Sequence, residues 1–185
     1  MQKYIFTQPL RLNTSNMNKF AEFERMFNSF DIELDHTRVD IDEIVADPYS
    51  VVAHKATQAG DNILIEDTSL DIEDADVGIN IKWVLSHITD FVGRKALWTV
   101  LLGFKNNNKV YIYEGKIEGL LVEPRVQSNF GFDPVFQPKG TNKTLAEEKP
   151  DSVSARYKAI ENLIQNNPIK VMDPIYTWEG KYQNE

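Results

Sequence analysis

Cysteine is absent from the 185 residues, which excludes disulfide bonds and thiolate metal sites. Histidine is scarce as well, and His36, His54 and His87 share no spacing typical of metal ligands. We therefore expect each histidine to be a surface or packing residue, and we expect no histidine metal centre.

Long apolar runs are also missing from the sequence. No stretch approaches the ~20 apolar residues that a membrane helix requires. The N-terminal MQKYIFTQPLRLN has no apolar segment of the kind that signal peptides carry. The sequence therefore predicts a cytoplasmic protein without a membrane partner.

Positive charge is in the minority, since 20 Lys and Arg stand against 28 Asp and Glu and the net charge is −8. A nucleic-acid surface needs clustered Lys and Arg, so no nucleic-acid partner is expected. A small anionic ligand is compatible with this balance if a few cations are gathered in one cleft.

Patterns typical of helices and of strands alternate along the sequence. Hydrophobic residues make up 42% of it, enough for a substantial core. There is no internal repeat and no low-complexity linker. One α/β unit is therefore predicted, with strands drawn from several parts of the chain. We expect residues 1–167 to form this domain and residues 168–185, which include two prolines, to form an extended C-terminal arm.

The local patterns also predict individual elements. Apolar residues recur at helical spacing from Lys19 to Phe30, and Asp47 before Pro48 is typical of a helix start, with Gly60 as the stop. Further helices are predicted over 80–87, 90–102 and 152–164. Extended segments or strands are predicted over 4–6, 10–13, 32–41 and 63–65, with an acidic loop over 71–76, a hairpin across KNNNK (105–109) between strand formers, and a loop over 129–140.

The stretch NTSNMNK, residues 13 to 19, connects a predicted strand to a predicted helix. Such a turn points backbone N–H groups and the positive end of the helix dipole at whatever occupies it. Thr14, Ser15 and Asn16 add side-chain donors and Lys19 adds a positive charge, which suits a phosphate group. An ordinary helix cap is the alternative interpretation. A P-loop is excluded because the glycine-rich pattern is absent.

A pair of acids, Glu66 and Asp67, ends the apolar strand in ILIEDTSL (63–70), and Glu43 follows another predicted strand. Burying such charges without partners costs several kcal/mol. Ligands in α/β proteins bind at the carboxyl ends of strands, and carboxylates converging there would bind Mg²⁺ together with substrate phosphates. The alternative is that these acids, and the spaced cations Lys55, Lys82, Lys149 and Arg156, are solvated surface residues.

Taken in order, these motifs resemble the inosine triphosphate pyrophosphatases, enzymes that remove deaminated purine nucleoside triphosphates. Thr14 to Lys19, with Glu22 three residues further on, looks like the T-x-N-x-x-K-x-x-E opening of that family. The other similar segments are Glu43 twelve residues before Lys55, ILIEDTSL, INIKW with Lys82, FGFDPVFQP, and EEKPDSVSAR. The resemblance covers roughly residues 10 to 164.

The resemblance implies a fold and a reaction. The implied fold is α/β, with an elongated, curved mixed β-sheet flanked by helices and two lobes around a central cleft. In the implied reaction, water attacks the α-phosphorus of ITP, dITP or XTP, and the products are a nucleoside monophosphate and pyrophosphate. The family also implies a Mg²⁺ cofactor and a homodimer.

The resemblance further implies roles for single residues. Asp67 would bind the metal and accept a proton from the attacking water, and Glu43 would be the second metal ligand. Glu66 would support the metal or its surrounding network. The substrate-binding residues would be Thr14, Ser15, Asn16, Lys19, Lys55, Thr68, Lys82, Phe130, Gly131, Phe132, Asp133, Lys149, Ser154 and Arg156. Phe130 would stack on the purine and Arg156 would face its 6-keto group. The phosphate oxygens would be neutralised by Lys19, Lys55 and Lys149, and Lys19 would count as catalytic together with Asp67 and Glu66.

The sequence departs from the family pattern at four places. Ser154-Ala155-Arg156 stands where the family has Ser-His-Arg, and Lys149 lies one residue further from Ser154 than expected. The loop after Ile72 lacks a Gly-Pro-Gly stretch, and the arm after Pro168 matches nothing in the family. The aromatic residues of that arm are expected to pack on the body or on a second subunit.

Two other functions stay open at this point. The altered base motif favours a related pyrophosphatase for another modified nucleotide, with a substrate range like that of the Maf family. A nucleotide-binding protein without turnover is the other alternative, although three carboxylates near one phosphate site have no evident use without catalysis. A purely structural domain is disfavoured by six motifs in the family order.

Overall fold

The computed structural model describes residues 3–183, a mixed α/β chain. Within this range the strands are β1 (Leu10–Asn13), β2 (Leu34–Thr37), β3 (Ile63–Ile72), β4 (Lys95–Asn106), β5 (Lys109–Leu121), β6 (Phe136–Pro138) and β7 (Lys170–Met172). The α-helices are α1 (Met17–Asn28), α2 (Pro48–Ala59), α3 (Ile81–Ser86) and α4 (Ala155–Ile164). Short 3-10 helices cover Ile88–Asp90, Asp133–Val135 and Asp151–Val153.

The strands form one mixed sheet in the order β2-β1-β3-β4-β5-β6, with β7 also paired to β5. β1 runs parallel to both of its neighbours, β2 and β3, while β5 is antiparallel to β6 and β7. The predicted fold class, a mixed α/β sheet flanked by helices, is confirmed.

The chain divides into two compact units, the number of lobes that the resemblance implies. The first unit comprises the described residues of Met1–Asp67, Leu101–Glu114 and Ala159–Glu185. The second comprises Thr68–Val100 and Gly115–Lys158. Strands β3, β4 and β5 therefore contribute residues to both units.

The residues of the predicted arm belong to the first unit. β7 pairs with the start of β5, with Met172 opposite Val110. Further along, the N–H of Ile175 donates to Thr57 Oγ1 of α2 over 3.0 Å. The division into a domain over 1–167 and an arm over 168–185 stays a prediction.

A helix packed on the sheet forms the core of the first unit. Small and β-branched side chains of α2 contact apolar residues of β3, β4 and β5; the buried cluster is Val52, Ala53, Ala56, Ile65, Leu101, Val110 and Ile112. Because two of the helical residues are alanines, the helix can approach the strands closely. A Cβ atom added to Gly103 in β4 would lie only 2.3 Å from Cγ1 of Val52.

Gly103→Ala is therefore expected to destabilise the protein by about 1–3 kcal/mol, because the added methyl group overpacks the contact with Val52. Urea denaturation at pH 7 measures this free energy of unfolding. The double variant Gly103→Ala/Val52→Ala is the control, since it makes room for the methyl group and should lose less than the sum of the two single variants. Wild-type stability of Gly103→Ala would contradict the packing described.

Two predicted elements are wrong: the loop expected over 129–140 contains the 3-10 helix Asp133–Val135 and strand β6, and a predicted helix is a strand. The helix expected over 90–102 is a 3-10 turn (Ile88–Asp90) followed by strand β4. Every residue from Trp98 to Phe104 is buried. A strand buried on both faces is a continuous apolar run, and such a run cannot be distinguished from a buried helix by its periodicity.

The hairpin predicted across KNNNK is present, with a two-residue turn at Asn107 and Asn108. Their φ angles of 49° and 60° are those of a type I′ turn, which asparagine tolerates. The segment VYIYEG and all of KIEGLLV except its last residue, Val122, lie in the single strand β5. The strand of the acid pair is also longer than predicted, since β3 continues to Ile72 and includes Asp71 of the expected acidic loop.

Candidate active site

The turn between β1 and α1 is closed by side chains of the NTSNMNK stretch. Asn16 is the N-cap of α1, and its Oδ1 accepts hydrogen bonds from the N–H groups of Asn18 (3.0 Å) and Lys19 (3.1 Å). Thr14 Oγ1 accepts from the N–H of Asn16 over 3.0 Å. The interpretation of Asn16 as a helix cap is thus correct. Its side-chain N–H₂ group, the hydroxyls of Thr14 and Ser15 and the Lys19 ammonium are donors that this turn can direct at a ligand.

A cavity of about 300 Å³ lies beside this turn in the first unit. It is lined by Asn13, Thr14, Ser15, Asn16, Lys19, Arg38, Val39, Asp40, Ile41, Glu43, Lys55 and Glu66. The structure therefore brings together residues that the sequence places up to 53 positions apart, from Asn13 to Glu66. Most of these side chains are polar, and three of them are cations, so the cavity suits a strongly charged anionic group.

Two lysines offset two of the predicted carboxylates. The Glu66 side chain is only 6% exposed, and it lies 3.5 Å from the Lys19 ammonium. Glu43 lies 3.0 Å from the Lys55 ammonium of α2. These ion pairs explain how Glu66 is tolerated within an apolar strand and Glu43 in the loop after β2, because each charge has a partner of opposite sign.

Among the described acid groups, the Asp67 carboxyl has the most strongly shifted pKa. The pKa of its carboxyl is raised to about 6, chiefly because the group is removed from water. Lys55 opposes this shift, while the negative charges of Glu43 and Glu66 add to it. A carboxylate with a pKa near neutrality can accept a proton efficiently at physiological pH. A cation bound beside it would stabilise its ionised form.

The carboxylates do not form a complete metal cage by themselves. Among residues 3–183, no three acid or imidazole groups come close enough to hold an ion. Asp67 is also not in the described lining of the 300 Å³ cavity, although its neighbour Glu66 is. The charges of Lys55 and Glu43 nevertheless act on the Asp67 carboxyl, so Asp67 lies within electrostatic range of both.

The second unit holds a second group of clustered side chains, several of them charged, which come from the loop 129–140 and the segment before α4. The Lys149 ammonium lies 2.9 Å from Oδ2 of Asp133, a buried ion pair in which the acid side chain is 9% exposed. The same ammonium lies 4.3 Å from the centre of the Phe130 ring, within cation–π range. The N–H of Asp133 donates to the carbonyl of Phe130 over 3.1 Å and closes the turn that contains Gly131 and Phe132.

Arg156, in the first turn of α4, belongs to this same group. It is 4% exposed, its guanidinium carbon lies 5.3 Å from the centre of the Phe130 ring, and Nη2 donates to Thr68 Oγ1 over 3.5 Å. Ser154 Oγ accepts from the N–H of Tyr157 over 3.2 Å and so caps the start of the helix. The second unit thus gathers an aromatic ring, two cations and a hydroxyl around one point.

The contacts of Lys82 differ from those of the other predicted substrate residues of this unit. Lys82 is exposed on α3, and within the described part of the chain no hydrogen bond or ion pair joins it to this group. Its predicted role in substrate binding stays a prediction.

Three residues near these groups were not selected from the sequence. Trp98 of β4 is fully buried, and its ring centre lies 5.5 Å from the Lys149 ammonium and 5.4 Å from the Arg156 guanidinium carbon. It falls in the segment wrongly predicted as helical. Arg38 follows β2, and Asn13 ends β1; Asn13 Oδ1 accepts from Thr37 Oγ1 (2.7 Å) and from the N–H of Val39 (2.8 Å). The parallel pairing of β1 and β2 could have indicated both, since parallel strands end at one edge.

Comparison with known proteins identifies the family of this chain. The model of the Ham1 family matches residues 10–166, most of the chain. The chain belongs to the Ham1 family. It is 31% identical over 174 residues to an inosine triphosphate pyrophosphatase of Yarrowia lipolytica, covering 81% of this chain and 90% of that protein. It is 31% identical over 175 residues to a dITP/XTP pyrophosphatase of Pyrobaculum aerophilum, covering 83% of this chain and 93% of that protein.

A third relative is an inosine triphosphate pyrophosphatase of Batrachochytrium dendrobatidis, 32% identical over 187 aligned positions, with 86% of this chain and 91% of that protein covered. The predicted resemblance and the predicted enzyme class, a nucleoside triphosphate pyrophosphatase, are confirmed at the level of the Ham1 family. The family match ends at residue 166, just before the predicted arm. Over residues 3–183, no helix combines the length and the apolar character needed to cross a bilayer.

Proposed function

We propose that this Ham1-family chain hydrolyses the deaminated purine nucleotides ITP, dITP and XTP to the nucleoside monophosphate and pyrophosphate. The observation that carries this proposal is the 300 Å³ cavity of the first unit, where the NTSNMNK turn, two lysines and two predicted acids come together. Phosphoryl chemistry depends mainly on positioning and on neutralising charge, and this set of side chains supplies both.

The phosphate oxygens are the groups that this cavity would receive. The Lys19 and Lys55 ammonium groups would neutralise them, and both are currently offset by Glu66 and Glu43. Thr14, Ser15 and the side-chain amide of Asn16 would donate hydrogen bonds to them. Arg38, which lines the same cavity, would add a third cation.

Mg²⁺ is the cofactor that the donor set fits. Mg²⁺ prefers one or two carboxylates, with substrate phosphates and water completing its six ligands. Glu43 and Asp67 would hold the ion, and Glu66 would support that arrangement. Bound there, the ion would neutralise phosphate charge. The raised pKa of Asp67 fits this role, because a carboxylate surrounded by other acids gains from a nearby dication.

Asp67 would also act on the attacking water. The water oxygen forms a bond to the α-phosphorus, the bond from that phosphorus to the α–β bridging oxygen breaks, and pyrophosphate leaves. Asp67 takes the proton that the water loses. A pKa of about 6 leaves Asp67 largely ionised at pH 7.5, and it remains a stronger base there than an ordinary aspartate.

The group around Phe130 in the second unit would read the base. Phe130 would stack on the purine, while Gly131, Phe132, Asp133 and Ser154 would shape the pocket. Arg156 and Lys149 are donors without acceptor atoms, so they would reward a 6-keto oxygen and penalise the 6-amino group of adenine. The Asp133 carboxylate keeps Lys149 beside the ring, at 2.9 Å.

A hydrolysis panel of ITP, dITP, XTP, GTP, ATP and the pyrimidine triphosphates tests the function. We expect kcat/KM for ITP or XTP to exceed that for ATP by about 10²-fold or more, because a cation facing the base discriminates keto from amino groups. Monophosphate and pyrophosphate are quantified separately, and EDTA should abolish turnover until Mg²⁺ is restored. Release of inorganic phosphate instead of pyrophosphate would refute the proposed bond cleavage.

A second substrate class is favoured by one observation. Ala155, at the position of the family histidine, is fully buried at the start of α4 and offers no polar atom to a base. If the panel shows pyrophosphate release from another modified nucleotide, the chemistry stands and the base preference changes. Nucleotide binding without release of any product would indicate a receptor instead of an enzyme.

The proposal includes a cytoplasmic homodimer, as the resemblance implies. Tyr176 of the arm, 60% exposed, is the kind of aromatic residue found at interfaces. Light scattering after size exclusion should give twice the chain mass of 21.3 kDa. A single-chain mass across micromolar concentrations would contradict the dimer.

A further inference from the structure

We infer that residues 181–183 of the C-terminal arm are a positioning element for Glu43. The inference rests on the proposed function, in which Glu43 is a metal ligand. It assigns a role in the active site to a segment that lies beyond residue 166, where the family match ends.

The arm is paired to the segment that carries Glu43. The N–H of Gln183 donates to the carbonyl of Glu43 over 2.8 Å, and the N–H of Val45 donates to the carbonyl of Lys181 over 2.9 Å. Between these two bonds, Ile44 and Tyr182 form an antiparallel bridge. This is the geometry of a short two-stranded ladder with the bridged residues in a non-hydrogen-bonded pair. The side-chain amide of Gln183 adds a bond to the carbonyl of Ile44 over 3.2 Å.

Glu43 needs such support because little else orders it. Residues 38–43 have no regular secondary structure, and the bridge at Ile44 is the first pairing after β2. The Glu43 side chain is 39% exposed, and an ion pair this exposed, such as the one to Lys55, contributes little to order. The buried side chain of Ile44 and the bonds to the arm therefore hold the backbone from which Glu43 projects.

The arm is in turn anchored on α2, the helix that carries Lys55. The N–H of Ile175 donates to Thr57 Oγ1 over 3.0 Å, and Gln58 Nε2 donates to the carbonyl of Tyr176 over 3.3 Å. The ring of Tyr182 meets the buried ring of His54 edge-on, with 6.2 Å between their centres. One segment thus contacts both the helix of Lys55 and the loop of Glu43, so it sets the position of the loop relative to that helix.

Precise orientation matters more for a metal ligand than for a solvated acid. Removing a group that orients a residue bound to a metal ion typically lowers the metal affinity or the activity by about 10–100-fold. A metal ligand on a loop is also positioned less precisely than one on a helix or strand, so it depends more on contacts that order the loop. Removal of the N–H donor of Gln183 should therefore lower the affinity for the metal ion while the protein remains folded.

Gln183→Pro is the variant that tests this, because proline has no N–H to donate to the Glu43 carbonyl. The matched control is Gln183→Ala, which keeps this N–H and loses only the side-chain amide. Mn²⁺ is the probe, and its free concentration is followed by electron paramagnetic resonance on the full-length proteins without nucleotide. A chain ending at Lys181 is a second variant, and thermal melts report whether each protein is folded.

We expect the Mn²⁺ dissociation constant to rise about 10-fold in Gln183→Pro and less than about 3-fold in Gln183→Ala. Amide exchange at Val45 should become faster in Gln183→Pro, which reports the loosened ladder independently of metal. Unchanged affinity in both Gln183→Pro and the shortened chain would overturn the positioning role.

Glu43→Gln separates this inference from the proposed function. If Glu43→Gln loses Mn²⁺ affinity and neither Gln183→Pro nor the shortened chain does, only the positioning role is wrong. If Glu43→Gln binds Mn²⁺ as the wild type does, Glu43 is not a ligand, and the proposed metal site fails together with the inference drawn from it.

Discussion

Replacing Asp67 with asparagine is expected to lower kcat for the preferred nucleotide by about 10²–10⁴-fold, the usual contribution of a positioned proton acceptor. Asparagine keeps the size of the side chain but cannot take the proton of the attacking water. It also removes a negative charge that the proposed Mg²⁺ site requires. Steady-state kinetics at saturating Mg²⁺ measure the loss in kcat. Full Mg²⁺-dependent turnover in Asp67→Asn would show that the proton acceptor lies elsewhere.

The same substitution should make the folded protein more stable at neutral pH. The folded-state pKa of Asp67 is about 6, above its ordinary value of 3.8, so between these pH values the folded state binds more protons than the unfolded state. Stability must then fall as the pH rises through this window, and at pH 7.5 the whole penalty is present. Asparagine removes a penalty on the order of 1–3 kcal/mol.

Thermal melts in EDTA at pH 7.5 and pH 4 measure this effect. Asp67→Asn should melt several degrees above the wild type at pH 7.5, and the difference should shrink at pH 4. Asp71→Asn is the control, because Asp71 lies on the same strand but is exposed. Adding Mg²⁺ should raise the melting temperature of the wild type more than that of Asp67→Asn. Equal melting of the two proteins at pH 7.5 would contradict the electrostatic account of this site.

Replacing Arg156 with methionine is expected to lower kcat/KM for ITP by about 10²-fold and that for ATP much less, so that selectivity is largely lost. Methionine keeps most of the length and apolar contact of the arginine but has no N–H donor for a 6-keto oxygen. A pocket built to bond a polar substrate group loses most of its discrimination when the bond is removed. Competition between ITP and ATP in one reaction gives the ratio of the two kcat/KM values directly.

Arg125→Met is the matched control for this experiment. Arg125 lies in the same unit, but its side chain is 45% exposed and pairs with Glu147 at 2.9 Å. The ITP-to-ATP ratio should therefore be unchanged in Arg125→Met. A melt of Arg156→Met is needed beside the kinetics, because Arg156 is buried and contacts Thr68. An unchanged ratio in a folded Arg156→Met would assign base recognition to Lys149 or to another group.

Local signals predicted many of the elements because their causes are local. The start of α2 follows from Asp47 and Pro48, its end from Gly60, and the hairpin turn from two asparagines that accept positive φ. Strand β4 was missed because its apolar run is dictated by burial on both faces, which is a property of the sheet and not of the segment. The missed Trp98 has the same cause, since nothing in its neighbours in sequence brings Lys149 and Arg156 to its ring.

By itself the sequence determined the family and the mixed α/β class, and it supplied the candidate residues for the site. This was possible because residue identity and spacing along a strand or a turn are local quantities. Only the tertiary structure decided which charges meet: that Lys19 pairs with Glu66 and Lys55 with Glu43, and that Arg38 joins their cavity. It also decided that Gln183 bonds to the backbone of Glu43. Burial and opposite charge over long sequence separations set these pairings, and they depend on the folded chain as a whole.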